Sequence, residues 1–325
     1  MDITRFKSKG FFIPGIISLV ILILLATMPL YGSLYSVILL TTILMFIILT
    51  VSWVMFSGPT GYLSMASSAF FGVGIYASAL LLPNTGAVLP LLVVVLIGGI
   101  ASGLVALGVG ALTLRLRGIY FAIFTFGLVI LILEVLNWWE HTMSHIRGRF
   151  VMIVGNDTIF YIMLAIFVLL MITAYLIQRS KFGLAMQSIG ANEEAAAHRG
   201  INVTMVKILT FALSAFFAGA AGAIWATKLT YVDPYVAFSV LFSFLPILMA
   251  IFGGMGQIYG PVIGAAIFAY LQETLQTKFP YIYMLVFGIV LILAILYLPN
   301  GLVGLIPRLI RRRRKGGTTE QNENT

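Results

Sequence analysis

Cysteine is absent from the 325 residues, so no disulfide, thiolate metal site or thiol nucleophile enters the argument. Charge is almost as scarce: 9% of the chain is Asp, Glu, Lys or Arg, against about 25% in an ordinary soluble domain. No G-x-x-x-x-G-K-[ST] phosphate loop occurs, which excludes nucleotide binding by that route. The G-x-G-x-x-A pattern from Gly72 to Ala77 lies inside an apolar run with no strand before it, and is rejected as a dinucleotide site. Within the apolar runs the acids are Glu134 and Glu273, both near outer ends. No acid, His or Lys falls at mid-bilayer depth, where a proton-driven carrier needs a titratable relay. A membrane enzyme would need clustered acids, bases or nucleophiles, and only the stretch Glu140–His145 comes near that. Its H-T-M-S-H segment (His141, Met143, His145) sits in a short outer loop, and no metal is expected there.

What the chain has instead is apolar length. It is 61% hydrophobic with mean hydropathy +1.09. Runs of about 20 apolar residues read as transmembrane helices, and the short alternating segments of a β-barrel are missing. The fold class is therefore all-α, a polytopic membrane protein. Ten spans are expected, at 11–30, 34–57, 61–82, 87–113, 118–136, 158–177, 206–227, 236–253, 261–276 and 281–299. The third, eighth and ninth are short or interrupted by Gly and Pro, so each is also readable as re-entrant. Gly99 and Gly103, and the series Gly256, Gly260 and Gly264, have the small-residue spacing of close helix packing.

The net charge of +9 is accounted for by topology rather than nucleic acid. Of the 19 Lys and Arg, Arg147, Arg149, Lys228 and Lys278 fall on one side of the expected spans and all the others fall on the opposite side. Basic residues mark the cytoplasmic side, so both termini are expected there, as an even span number requires. A cleaved signal peptide would spoil that parity and is not read. The expected organisation is a cytoplasmic N-terminus at 1–10, a transmembrane domain at 11–307 with a cytoplasmic loop at 178–206, and a tail at 308–325. That tail carries R-R-R-R-K at Arg311–Lys315, suited to anionic head groups of the bilayer, followed by a polar stretch expected to be disordered.

One segment breaks the apolar pattern. Ser180 to Gly200 reads S-K-F-G-L-A-M-Q-S-I-G-A-N-E-E-A-A-A-H-R-G, with Lys181, Glu193, Glu194 and Arg199 close together. It cannot lie in lipid and must project into water. Ala-rich sequence with acids at its start favours a short helix, and Gly200 suits the left-handed residue that ends one. The result is a compact knob between two spans. From the residues alone it serves either as a plain interfacial helix or as a docking element.

Glu194-Ala195-Ala196-x-x-x-Gly200 resembles the E-A-A-x-x-x-G signature of ABC-importer permeases. The surrounding sequence resembles, more narrowly, the permeases of branched-chain amino acid (LIV-type) systems, the LIV-M subunit more than LIV-H. The resemblance rests on the island, the G-I-N-V-T-M-V-K-I-L-T-F-A-L-S run from Gly200, L-R-L-R-G-I-Y-F-A-I-F-T-F-G at Leu114–Gly127, G-Y-L-S-M-A-S-S-A-F-F-G-V-G-I-Y-A at Gly61–Ala77, G-G-M-G-Q-I-Y-G-P-V-I-G-A at Gly253–Ala265 and L-P-N-G-L-V-G at Leu298–Gly304. The family's Thr-Gly-Gly-rich loop after the fifth span is replaced here by W-W-E-H-T-M-S-H-I-R-G-R-F-V-M-I-V-G-N.

The resemblance implies a cell-membrane subunit that performs no catalysis and carries no cofactor. ATP and Mg are bound by two partner ATPase subunits, which dock at Glu193, Glu194, Ala195, Ala196 and Gly200. It further implies a second homologous permease subunit and an extracytoplasmic solute-binding protein, with branched-chain amino acids as the leading solute and urea or short amides as the alternative. A self-sufficient carrier or channel is the reading outside this class. For the translocation path, Ser64, Ser67 and Ser68 are expected on one helix face at i, i+3, i+4 spacing, with Leu63, Ala66 and Phe70 opposite and a break at Gly58, Pro59 and Gly61. Gly72 and Gly74 belong to the same candidate stretch, Gly61–Gly74, and Glu134 is placed at the outer mouth. The same serines equally suit hydrogen bonds to their own helix. The Gly253–Gly264 segment is a second broken region, expected to face the first.

Overall fold

The computed structural model describes residues 12–83, 89–116, 118–145, 147–256, 259–282 and 285–289. The named helices follow in order: α1 (Phe12–Tyr31), α2 (Leu34–Thr60), α3 (Ser67–Leu81), α4 (Leu91–Thr113), α5 (Ile119–Trp139), α6 (Asn156–Arg179), α7 (Lys181–Ala191), α8 (Glu193–His198), α9 (Val203–Leu229), α10 (Pro234–Ala237), α11 (Leu241–Gly253) and α12 (Tyr259–Lys278). One π turn, Glu140–Ser144, continues α5. Two-residue strands β1 (Arg149–Phe150) and β2 (Tyr231–Val232) pair antiparallel at the end of the bundle opposite α8.

Among the described residues six helices are long and apolar enough to cross a membrane: α2, α4, α5 with its π turn, α6, α9, and α10–α11 read as one. They match the expected spans beginning at 34, 87, 118, 158, 206 and 236. Leu22–Tyr31, within α1, and Ser67–Leu81 (α3) are shorter apolar helical stretches, and the ninth expected span lies within α12. The expected span 281–299 lies mostly outside the described residues, and the termini at 1–10 and 308–325 lie wholly outside them.

Burial orders the bundle. The most apolar windows of α2 and α9 are each 72% buried, that of α5 only 22%, so the first two are central and the last is peripheral. Lipid supplies no hydrophobic drive between apolar helices, and small residues take its place by letting backbones meet. A Cβ on Gly74 of α3 would overlap the Gly219 carbonyl of α9, one on Gly219 would overlap Ser102 of α4, and one on Gly222 would overlap the Phe71 carbonyl. Gly99 packs on Phe216 and Gly103 near the Ala212 carbonyl, so this expected pair joins α4 to α9. In the second series Gly260 and Gly264 press α12 onto the end of α11, while Gly256 has nothing near it and is not part of that contact.

The third expected span departs from a continuous helix. α2 runs through Gly58 and Pro59 and stops at Gly61, whose φ of 72° reverses the chain. Residues 61–66 are then irregular before α3 begins at Ser67. Non-helical backbone is tolerated in a membrane only where its polar groups are satisfied inside protein, and side chains take up several of them here. The Trp53 Nε1 donates to the Ser64 carbonyl at 2.7 Å, the Met65 amide donates to Thr125 Oγ1 at 3.0 Å and the Ala66 amide to Ser64 Oγ at 3.3 Å.

Candidate functional site: a capped knob, a buried latch and a serine cavity

The island folds as two short helices. Ser180 caps α7, accepting from the Gly183 amide, and a Cβ on Gly190 would overlap the Pro59 carbonyl, so α7 lies directly on the end of α2. Asn192 caps α8: its Oδ1 accepts from the Ala195 amide at 3.0 Å. Glu193 and Glu194 occupy the first turn, where the helix dipole favours negative charge. At the other end the Gly200 amide donates to Ala197 O at 2.9 Å and the Ile201 amide to Ala196 O at 3.2 Å. With φ of 82° at Gly200, this is a Schellman ending. Its hydrophobic contact is present too, with Ala196, Ile189 and Val203 buried together under Ile201.

The five residues expected to face a partner divide. Glu194, Ala195 and Gly200 are exposed. Ala196 is buried and belongs to the knob's own small core. Glu193 points into the bundle: its Oε2 accepts from Tyr62 Oη at 2.6 Å and its Oε1 from Lys207 Nζ at 2.9 Å. Of the five residues expected at the docking knob, Glu193 and Ala196 therefore turn their side chains inward.

Lys207, in the second turn of α9, is the centre of this arrangement. Its side chain is 3% exposed. An ammonium has three donors, and all three are used: on Glu193 Oε1 at 2.9 Å, Tyr62 Oη at 3.0 Å and Leu114 O, just past α4, at 3.0 Å. The ammonium also lies 4.5 Å from the Tyr62 ring centroid. A buried charge is tolerated when it is paired and hydrogen-bonded like this. Neither Tyr62 nor Lys207 stood out in the sequence. Lys207 reads there as one more basic residue at a span end, and no spacing rule links positions 62, 193 and 207.

Of the path candidates, Ser64 and Ser67 meet at a small cavity with Ser52 of α2 and Ser214 of α9. It has about 10 Å³ of room for a water's centre, the volume of a single water at most. The expected helix face is corrected here: Ser64 lies in the irregular segment, not on α3, and Phe70, expected opposite the serines, lines the same cavity. Ser52 and Ser214, which the sequence reading passed over, hydrogen-bond carbonyls of their own helices. Ser68 turns elsewhere. Its Oγ donates to Ser239 O at 2.8 Å and its amide donates to Ser243 Oγ at 3.2 Å, tying α3 to α11. Gly72 meets the Phe238 ring and Gly74 the α9 backbone, so both are packing contacts. Glu134 is exposed on α5 and outside this cluster.

At the opposite end, buried Glu140 is held by Tyr76 Oη at 3.1 Å and the Gly148 amide at 3.1 Å, with Arg149 Nε 3.9 Å away. Arg149 lies 5.3 Å from the Trp139 ring centroid. This fixes the divergent loop after α5 to α3.

A bundle of long apolar helices with a small capped knob between two of them is the architecture of a polytopic membrane protein. The sequence family described as "branched-chain amino acid transport system / permease component" matches residues 35–295, and the chain belongs to that family of ABC-type permeases. It is 27% identical to the high-affinity branched-chain amino acid transport system permease protein LivM of Salmonella typhimurium, over 87% of this chain and 73% of that protein. It is 25% identical to LivM of Escherichia coli K12, over 93% and 77% respectively. A shorter likeness, 29% identity over 31% of this chain and 33% of the relative, is to the ribose import permease protein RbsC of Haemophilus influenzae. No solved structure matches.

Proposed function

We propose that this chain is one membrane-spanning subunit of an ATP-driven importer for branched-chain amino acids, set in the cell membrane with ten spans and both termini cytoplasmic. A second homologous permease subunit completes the membrane pore. Two ATPase subunits, which carry the ATP and Mg, dock on the exposed face of α8 at Glu194, Ala195 and Gly200. An extracytoplasmic binding protein delivers solute to the opposite end, where Glu140 and Arg149 fix the loop. The permease itself carries out no reaction. Solute passes by way of the Ser64–Ser67 region once the bundle opens, because the cavity present holds no more than a water.

The observation that supports this reading most is the knob: a helix closed at both ends by Asn192 and Gly200, with Glu194 outward, inside a chain whose family match runs from 35 to 295. The partial likeness to a ribose permease favours a second reading, a small polar solute other than an amino acid. Uptake in proteoliposomes tests both. The chain, its partner permease, the two ATPases and the binding protein should accumulate leucine, isoleucine or valine only with ATP on the knob's side. Accumulation of urea, amides or a sugar instead replaces the solute, and flux through this chain alone replaces the importer by a carrier or channel.

A further inference from the structure

We propose that Tyr62, Glu193 and Lys207 form the joint through which the knob moves the solute path, with Tyr62 as the positioning residue that connects the two. This rests on the importer reading and adds to it the residues that carry the motion. Glu193 belongs to the knob, Lys207 to α9, and Tyr62 to the irregular segment between α2 and α3. The three side chains hold one another at 2.6, 2.9 and 3.0 Å. The Leu114 carbonyl adds the end of α4 through Lys207 at 3.0 Å. A displacement of α8 therefore pulls on three membrane elements at once.

Tyr62 has a second attachment. Its ring stands edge-on to Phe121 of α5, centroids 5.4 Å apart. Phe121 meets Phe211 at 6.0 Å, and Phe211 meets Phe56 at 4.9 Å and Phe70 at 5.1 Å. Phe56, Phe70 and Phe211 are walls of the serine cavity, and these rings are almost wholly buried. Close-packed interiors transmit strain rather than absorb it. Two residues beyond Tyr62, Ser64 is itself part of the cavity. The hydroxyl is thus fastened to the knob, and both the ring and the following backbone to the cavity. The segment 61–66 is held by side-chain hydrogen bonds instead of helical ones, so it is the element of this region that shifts without unwinding a helix.

The absence of cysteine supplies the test. Leu63, exposed beside the joint, is changed to Cys, and its rate of reaction with a maleimide is measured in the complete transporter with and without ATP. With the joint intact, ATP changes the rate at least about fivefold, the low end of ordinary coupling between sites. In Lys207→Met and Tyr62→Phe that change disappears while the ATPases stay bound and hydrolyse ATP, and Lys207→Arg restores part of it. Tyr62→Phe keeps the ring and removes one hydroxyl, so it carries the test if Lys207→Met fails to assemble. The proposal is overturned if the ATP response survives in both variants, if the intact joint shows no response, or if Tyr62→Phe loses the ATPases, since the trio is then only scaffolding. A native chain that binds no ATPase removes the importer reading itself, and that outcome is distinct from the others.

Discussion

At Gly200 the chain turns through φ of 82° with open space where a Cβ would lie. The constraint there is conformational, not steric: an L side chain in the left-handed region costs about 1–2 kcal/mol. Gly200→Val is expected to loosen the Schellman turn by that amount, read as faster hydrogen exchange at the Gly200 and Ile201 amides, with Gly200→Asn affected less. Asn192→Ala removes one cap bond and is expected to cost about 1 kcal/mol of α8 stability, seen as exchange at Ala195. Glu194→Lys behaves differently. The residue is exposed, so reversing a charge that the helix dipole favours should cost only about 0.3–1 kcal/mol, while ATP-driven uptake is lost and the protein still inserts. The knob was legible in sequence because its signals are local, acids at the start and glycine at the end within a few positions. The inward turn of Glu193 was not, because its partner Tyr62 lies 131 positions away.

At the scale of the helices, α3, α4 and α9 hold together through backbone contact at Gly74, Gly98 and Gly219. Gly219→Ala puts a methyl into Ser102 and should cost about 1–3 kcal/mol, as overpacking of a fitted interior does. Gly127→Ala on α5, with nothing within reach of its Cβ, should be neutral or slightly stabilising, since glycine costs up to about 1 kcal/mol in a helix interior. Thermal unfolding in detergent separates the two. The six long apolar spans were readable from hydropathy alone. The shape of the third was not: Gly and Pro mark a break near 58–61, but helical spacing was carried across 61–66, where Trp53 and Thr125 satisfy the backbone in place of a helix. That one irregular segment moved Ser64 off the expected face and, with Ser67, into a cavity shared with serines from α2 and α9.

For the whole molecule, the two ends of the bundle are unlike. One carries α7, α8 and the Lys207 pair; the other carries the β1–β2 pair and buried Glu140. The topology expected from the sequence assigns most Lys and Arg to the first end, which is the basis for proposing that it faces the cytoplasm. The account stands on that placement together with contact between the knob and a soluble ATPase. Ala197, exposed on α8, changed to Cys in this cysteine-free chain, reports both in a single labelling experiment with a membrane-impermeant maleimide. The account predicts no labelling in intact cells, labelling after permeabilisation, and protection when the ATPase subunits are bound. Labelling from outside intact cells, or equal labelling with and without the ATPases, would contradict it.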